Sequence, residues 1–342
     1  MDRIADNSEA SPAGDASTAA QASARLFRSI RAGRSWVRAQ ETRETVAATG
    51  GCVLMKPGQG APLFMIPGAP GSILQLAPLA EALTAPEPIY AIKPRGLEEG
   101  ETPCGSIAEL AAYGIAALRQ VRPHGPYRLV GYSAGGLVAL EMAQQLTAAG
   151  EGVPLIVLLD TLPSRRIWPW RCHADILARQ CLRVVADVAR ISRSPSGAEI
   201  KRRWRSLLEY LGASGVKRLP RPPVVPEGTN AASRRVHVAT YNAGEAYRPR
   251  RYAGKVVYVQ PEEVPNLEPR APRQVWGRLL PDLEVRRVPG SHLGMLDEGV
   301  VGTAAALDAC LAGLPHSSRH SRESEGPGAA IRPRPALPLA RE

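Results

Sequence analysis

The sequence lacks the features that mark secreted, zinc-binding or membrane-spanning proteins. Its five cysteines are scattered and have no C-x-x-C spacing, at positions 52, 104, 172, 181 and 310. This pattern argues against a disulfide framework or a zinc site and predicts a reducing, cytoplasmic compartment. The apolar runs are shorter than a membrane span, and the first residues lack the apolar core of a signal peptide. We therefore expect no stable membrane insertion.

Aromatic residues are also scarce, at 5% of the 342 residues. The net charge is +11, but the basic residues are not interleaved with aromatic ones on a recognisable nucleic-acid-binding module. We therefore expect no nucleic acid partner. The excess charge fits either an arginine-rich solvated surface or electrostatic attraction of an acidic macromolecule.

Composition divides the chain into three parts. The first, 1–49, starts with a stretch rich in Ala, Ser, Asp and Gly, which predicts a flexible extension with one candidate helix. The last, 314–342, is rich in Pro, Arg, Ser and Gly, which predicts a disordered tail. The folded domain is expected over 50–313, without an internal repeat.

Short apolar runs alternate with helical periodicity inside the folded domain. Strands are expected at 62–66, 89–92, 127–130, 155–159, 255–259 and 283–288. Helices are expected at 72–83, 106–120, 134–149, 230–246 and 299–312, and a basic, irregular block at 163–228. This alternation is typical of an α/β fold with a mostly parallel sheet that helices cover on both faces. In such a sheet the site lies at the carboxyl ends of the strands.

One motif carries a specific chemical prediction: Gly-Tyr-Ser-Ala-Gly at 131–135, between a predicted strand and a predicted helix. Strand, tight turn and helix form the context in which G-x-S-x-G exposes a nucleophilic serine. A side chain at Gly131 or Gly135 would collide with the strained turn. Ser133 would then lie at a helix N-terminus, where free N–H groups favour a developing oxyanion.

A base and an acid are predicted at two other strand ends. Asp160 directly follows the strand 155–159, and His292 follows the strand 283–288. A neutral histidine can remove the serine proton near pH 7, and a carboxylate fixes the imidazole tautomer and stabilises the imidazolium. The chain order Ser133, Asp160, His292 is the order found in α/β-hydrolases.

The loop 67–71, after the first predicted strand, is expected to complete the site. Its oxyanion donor is predicted to be the Ala69 N–H, because Pro70 has none, and the second donor is the Ala134 N–H. The acid has an alternative, since Glu262 and Glu263 follow the strand 255–259, where many hydrolases place it. Other histidines compete less well with His292, at positions 124, 173, 237, 316 and 320.

Together these segments resemble the thioesterase domains that end polyketide and nonribosomal peptide assembly lines. The resemblance covers about 50–313 and is carried by residues 62–72, 89–97, 124–143, 158–161 and 288–296. It implies an α/β-hydrolase fold and a serine thioesterase that takes an acyl or peptidyl chain from the phosphopantetheine of a carrier protein. Release is then by hydrolysis or cyclisation, with no metal or bound cofactor. Placing the acid at Asp160 is typical of the chain-terminating members.

The sequence departs from the family pattern at Pro70, where Gly is frequent, and at Ser291, where Asp or Asn commonly precedes the histidine. No carrier-protein motif precedes the domain, which predicts action in trans on a separate carrier protein or synthase. The family inserts a helical lid after the acid, here about 163–228. Its densest basic cluster is predicted to dock the carrier, unless it is merely a solvated helix face: Lys201, Arg202, Arg203 and Arg205.

Two other functions stay open from the sequence. The first is a non-catalytic hydrolase-fold partner that docks on a synthase. The second is an esterase or lipase that acts on free small esters. The second of these would need no basic rim around its site.

Overall fold

In the computed structural model the described residues are 51–98, 100–191, 225 and 229–314. They contain seven strands: β1 Cys52–Lys56, β2 Leu63–Ile66, β3 Ile89–Ile92, β4 Arg128–Tyr132, β5 Leu155–Leu159, β6 Val256–Pro261 and β7 Leu283–Val288. These strands form one sheet in the order β1-β3-β2-β4-β5-β6-β7. β1 runs antiparallel to β3, whereas the remaining pairs are parallel.

Helices connect the parallel strands and cover both faces of the sheet. The α-helices of the described residues are α1 Ala77–Ala82, α2 Ile107–Val121, α3 Ala134–Ala148, α4 Trp170–Ile191, α5 Ala231–Ala246, α6 Arg273–Trp276 and α7 Val300–Ala312. α1 and α7 pack together on one face, while α2 and α3 pack together on the other. The carboxyl ends of the strands remain open to the connecting loops.

Alternating side chains along the strands build the two halves of the core. In β2, Leu63 and Met65 enter the cluster beneath α1 and α7, whereas Phe64 and Ile66 enter the cluster beneath α2 and α3. β5 is buried along its whole length and alternates in the same way. Because both faces are covered, these strands read as continuous apolar runs in the sequence.

The predicted α/β-hydrolase fold is confirmed, and most predicted strands and helices agree with the structure within about two residues. The predicted helix 72–83 divides into a 3₁₀ turn at Ile73–Leu76 followed by α1. The prediction of an irregular block over 163–228 was wrong for residues 170–191, because α4 occupies Trp170–Ile191. β1 and the short α6 were not predicted at all.

The predicted extension 1–49 lies outside the described residues. The same holds for most of the lid region 163–228 and for all but the first residue of the tail 314–342. Of the helices that are described, none combines the length and the apolar character needed to cross a membrane.

Three glycines allow α3 to lie directly on the sheet. A Cβ added at Gly131 would stand 2.3 Å from the Gly135 carbonyl oxygen. A Cβ added at Gly135 would stand 2.3 Å from the Pro67 carbonyl oxygen. A Cβ added at Gly136 would stand 1.9 Å from the Thr161 Oγ1. The collision predicted for a side chain at Gly131 or Gly135 is therefore present in the structure.

Replacing Gly136 tests this close packing. The Gly136→Ala variant should unfold more easily by about 1–3 kcal/mol, because the new methyl group overlaps the buried Thr161 side chain. Gly152→Ala is the matched control, since its added Cβ would lie 3.6 Å from Pro126, an ordinary contact. Urea unfolding of both variants measures the difference. Equal stability of the two variants would show that α3 does not approach the sheet this closely.

Candidate active site

Ser133 occupies a strained turn between β4 and α3. Its backbone has φ 54° and ψ −123°, a conformation that side-chain-bearing residues adopt only where the surroundings enforce it. The Ser133 N–H donates to the carbonyl oxygen of Leu159 at 2.9 Å, which fixes the turn to the end of β5. The side chain of Ser133 remains partly exposed at the N-terminus of α3. This is the arrangement that the G-x-S-x-G motif predicts.

Asp160 and His292 form a hydrogen-bonded pair beside this turn. The His292 Nδ1 lies 2.7 Å from the Asp160 Oδ2. An ionised carboxylate only accepts hydrogen bonds, so Nδ1 carries the donated proton and Nε2 is left as a base. The Asp160 side chain is 9% exposed and that of His292 is 36% exposed. The buried acid thus orients a ring that the solvent side of the site can reach.

Two tyrosines hold this pair in position. The Tyr258 hydroxyl donates to the Asp160 Oδ1 at 3.2 Å. The Tyr132 hydroxyl donates to the His292 carbonyl oxygen at 2.8 Å, and its ring stacks on the imidazole with the centroids 4.9 Å apart. Burial, followed by the charge of Asp160, raises the pKa of both tyrosines. Both hydroxyls therefore keep their protons and remain donors.

One cleft of about 270 Å³ contains all five residues predicted for the chemistry. Ser133, Asp160 and His292 line it, and so do Ala69 and Ala134. Ala134 is the first residue of α3, so its N–H has no acceptor within the helix. The remaining lining is mixed in polarity: Leu137, Leu162, Ser164, Thr240, Tyr241, Gly244, Glu245 and Glu268.

The two points at which the loops depart from the family pattern have structural explanations. In the loop after β2, the Gly71 N–H donates to the Gly68 carbonyl oxygen at 2.9 Å, which closes a tight turn around Ala69 and Pro70. Before the histidine, the Ser291 Oγ accepts a hydrogen bond from the Gly294 N–H at 3.2 Å. Ser291 thus makes the kind of side-chain cap that Asp or Asn would make.

The alternative acids and bases lie elsewhere. Glu262 and Glu263 are exposed, and neither lines the cleft. His124 faces Glu151, with 3.7 Å between Nδ1 and Oε1. His173 stands beside Trp168, and His237 is buried on α5, where burial lowers its pKa. The positions 316 and 320 fall outside the described residues.

The predicted docking residues Lys201, Arg202, Arg203 and Arg205 also fall outside the described residues. Among the residues that are described, no group of three or more His, Cys, Asp or Glu side chains is arranged to hold a metal ion. Tyr258 and Glu268 were not predicted as parts of the site. Tyr258 stands out as a polar side chain in the apolar run of β6, whereas no local pattern singles out Glu268.

Comparison with known proteins agrees with this geometry. The family model described as "Thioesterase domain" matches residues 61–309. The chain belongs to the thioesterase domain family. The prediction made from its sequence motifs is thereby confirmed.

Two relatives of this thioesterase domain are much longer proteins, and this chain matches one segment of each. An indigoidine synthase from Dickeya dadantii (strain 3937) is 44% identical over 106 residues, which are 31% of this chain and 7% of that protein. A nonribosomal peptide synthetase from Aspergillus terreus is 41% identical over 129 residues, which are 37% of this chain and 13% of that protein. The chain therefore matches only a small part of each relative.

A solved structure is similar over most of the domain. It is the NocB thioesterase domain from the nocardicin cluster, in a covalent complex with a fluorophosphonate nocardicin G analogue. The identity is 26% and the TM-score is 0.51, with 74% of this chain and 96% of that chain covered. Together with the family match, this likeness supports the hydrolase fold described above.

A serine-directed fluorophosphonate should label this protein at Ser133 alone. The Asp160→Asn variant should react more slowly by roughly three to four orders of magnitude, because an amide favours the wrong His292 tautomer. Glu262→Gln and Glu263→Gln should react like the wild type, since both side chains are exposed and outside the cleft. Mass spectrometry of the labelled peptide gives the site, and the time course gives the rate. Labelling of a different serine, or a slow glutamine variant, would contradict the assignment.

Proposed function

We propose that the chain is a serine thioesterase that releases an acyl or peptidyl chain from the phosphopantetheine arm of a carrier protein. One observation carries the proposal: a strained Ser133 shares a cleft with the hydrogen-bonded pair of Asp160 and His292. Family membership supports the thioester as the bond that is cleaved. One of the relatives is a nonribosomal peptide synthetase, which supports a carrier-bound substrate.

The proposed reaction has two steps. The Ser133 Oγ attacks the thioester carbonyl while the His292 Nε2 takes its proton, and the proton then passes to the departing thiol. The Ala69 and Ala134 N–H groups stabilise the oxyanion, and Asp160 stabilises the imidazolium. In the second step His292 activates water, or a nucleophile within the chain, to release the product. The only prosthetic group in this scheme is the arm that the carrier brings.

The structure describes the first part of the predicted lid region 163–228. α4 starts at Trp170, which is 73% exposed, and Leu182 on the same helix is 69% exposed. Three exposed arginines lie near this start: Arg165, Arg166 and Arg171. Exposed apolar groups beside cations suit the docking of an acidic protein surface. We propose that this region, together with the cluster from Lys201, receives the carrier protein.

Turnover of matched substrates tests the bond and the class of enzyme. Acyl-pantetheine thioesters should be hydrolysed with a kcat/KM at least tenfold above that of the oxygen esters of the same acyl groups. Ser133→Ala should hydrolyse neither, because no other group can form the acyl-enzyme. A preference for free oxygen esters would instead identify an esterase, and an unreactive wild type would identify a non-catalytic partner.

Carrier docking is tested at Lys201, Arg202, Arg203 and Arg205. Replacing all four with glutamine should raise the KM for an acyl-carrier protein severalfold and flatten its salt dependence, because surface charges act on encounter and are screened within about 8–10 Å at physiological salt. Hydrolysis of an acyl-pantetheine substrate, which lacks the carrier, should change little. Equal effects on the two substrates would show a role in the cleft, and no effect on either would leave the four charges as a solvated face.

A further inference from the structure

The cleft of the proposed thioesterase contains more acid than the proposed reaction needs. Its ionisable lining residues, within the part of the chain that the structure describes, include Asp160, Glu245, Glu268 and His292 but neither Lys nor Arg. The reaction as proposed needs only the pair of Asp160 and His292. The two glutamates therefore call for a separate explanation.

The three carboxylates differ in what they bind. Asp160 accepts hydrogen bonds from Tyr258 and pairs with His292. Glu245 accepts a hydrogen bond from the Ser164 hydroxyl at 2.9 Å. Among the described residues, no side chain or N–H donates to the Glu268 carboxylate. Glu268 therefore lines the cleft without a hydrogen-bond donor from the part of the chain that the structure describes.

The backbone that carries Glu268 is firmly held. The Arg179 guanidinium on α4 donates to the Glu268 carbonyl oxygen at 2.9 Å and to the Asn266 carbonyl oxygen at 3.4 Å. The Gln180 amide also donates to the Asn266 carbonyl oxygen, at 3.3 Å. The Glu268 N–H donates to the Pro265 carbonyl oxygen at 3.0 Å. The carboxylate is thus presented to the cleft from a fixed loop, which lowers the entropic cost of binding a ligand.

No Lys or Arg from the described part of the chain lies inside the cleft beside Glu268. Burial raises the pKa of Glu268 and the neighbouring charge of Asp160 raises it further, whereas Arg165 and His292 lower it. Arg165 is exposed, and its guanidinium lies 5.4 Å from the centre of the Trp168 ring, outside the lining of the cleft. A positive charge bound inside the cleft would compensate both carboxylates at once.

We propose that Glu268 selects acyl chains that carry an ammonium group close to the thioester carbonyl. This inference rests on the proposed thioesterase function and adds the chemical class of its acyl group. The substrate is then an aminoacyl chain or a chain with a basic side group, rather than a plain fatty acyl or an anionic chain. Glu268 acts here through binding and takes no part in proton transfer.

A pair of nearly isosteric substrates tests the proposal. β-Alanyl-pantetheine carries an ammonium group where butyryl-pantetheine carries a methyl group. The wild type should prefer β-alanyl by about tenfold in kcat/KM near neutral pH, as one charge-assisted contact provides. The preference should weaken as salt concentration rises, because salt screens the charge pair.

The Glu268→Gln variant should lose this preference and hydrolyse butyryl-pantetheine within about twofold of the wild-type rate. Glu262→Gln is the matched control, since Glu262 is an exposed carboxylate on the same connection after β6 and lies outside the cleft. It should keep the tenfold preference. Undiminished butyryl turnover also shows that the variant is folded.

Three results would overturn the proposal: equal wild-type rates with the two substrates, a preference that Glu268→Gln retains, or an equal loss with both substrates in that variant. The wild-type preference and its salt dependence decide the matter even where a substitution disturbs folding. Failure of the thioesterase function itself looks different, because the wild type would then hydrolyse neither substrate.

Discussion

The contact between α3 and the sheet is the constraint on which the site depends. At Gly131 and Gly135 the backbones of neighbouring elements approach so closely that no Cβ fits, and at Gly136 the Thr161 side chain occupies the space that a Cβ would need. The chain must therefore turn sharply between β4 and α3, and Ser133 takes the left-handed conformation that closes the turn. Such strain costs about 1–3 kcal/mol and persists only where packing enforces it. The position of Ser133, the proposed nucleophile, is thus a consequence of core packing.

The same sheet explains why the proposed acid, Asp160, follows β5 and not β6. The Asp160 N–H donates to the Val259 carbonyl oxygen at 2.9 Å, and its φ of 43° turns the chain out of the sheet. After β6, the Glu262 N–H donates to the Val288 carbonyl oxygen at 2.9 Å, so the chain follows β7 and its side chains remain exposed. β6 instead contributes Tyr258, whose hydroxyl reaches Asp160 from the neighbouring strand.

Local sequence patterns were sufficient for the parallel sheet and for the elements that carry the chemistry. β5 begins and ends with its apolar run, β7 begins and ends at the predicted residues, and α3 begins directly after Ser133 as the motif requires. β1 was missed although residues 52–55 form a short apolar run, and in the sheet it is the antiparallel edge strand with one buried residue, Cys52. α4 was missed although its apolar residues recur at helical spacing, because the many basic residues of this block favoured the prediction of an irregular segment.

Contacts between distant parts of the chain could not be predicted from the sequence. Glu141 is a charged residue among the apolar residues of α3, and the apolar pattern of that helix does not explain it. Its Oε2 accepts a hydrogen bond from the Tyr247 hydroxyl at 2.7 Å, and its Oε1 lies 3.4 Å from the Arg250 guanidinium. These partners follow about a hundred residues later, beyond any periodicity. Glu268 was missed for the same reason, since only the fold brings its loop to the cleft.

The hydrogen bonds of Arg179 link α4 to one wall of the cleft. α4 begins the region that follows Asp160, and Arg179 ties it to the loop that carries Glu268. Any displacement of α4 must either break these hydrogen bonds or carry the loop along. If the loop moves with α4, the Glu268 carboxylate is displaced relative to Asp160 and His292, which Tyr258 and Tyr132 hold on the sheet. The position of α4 and the charge beside Ser133 are therefore linked as long as the Arg179 hydrogen bonds persist.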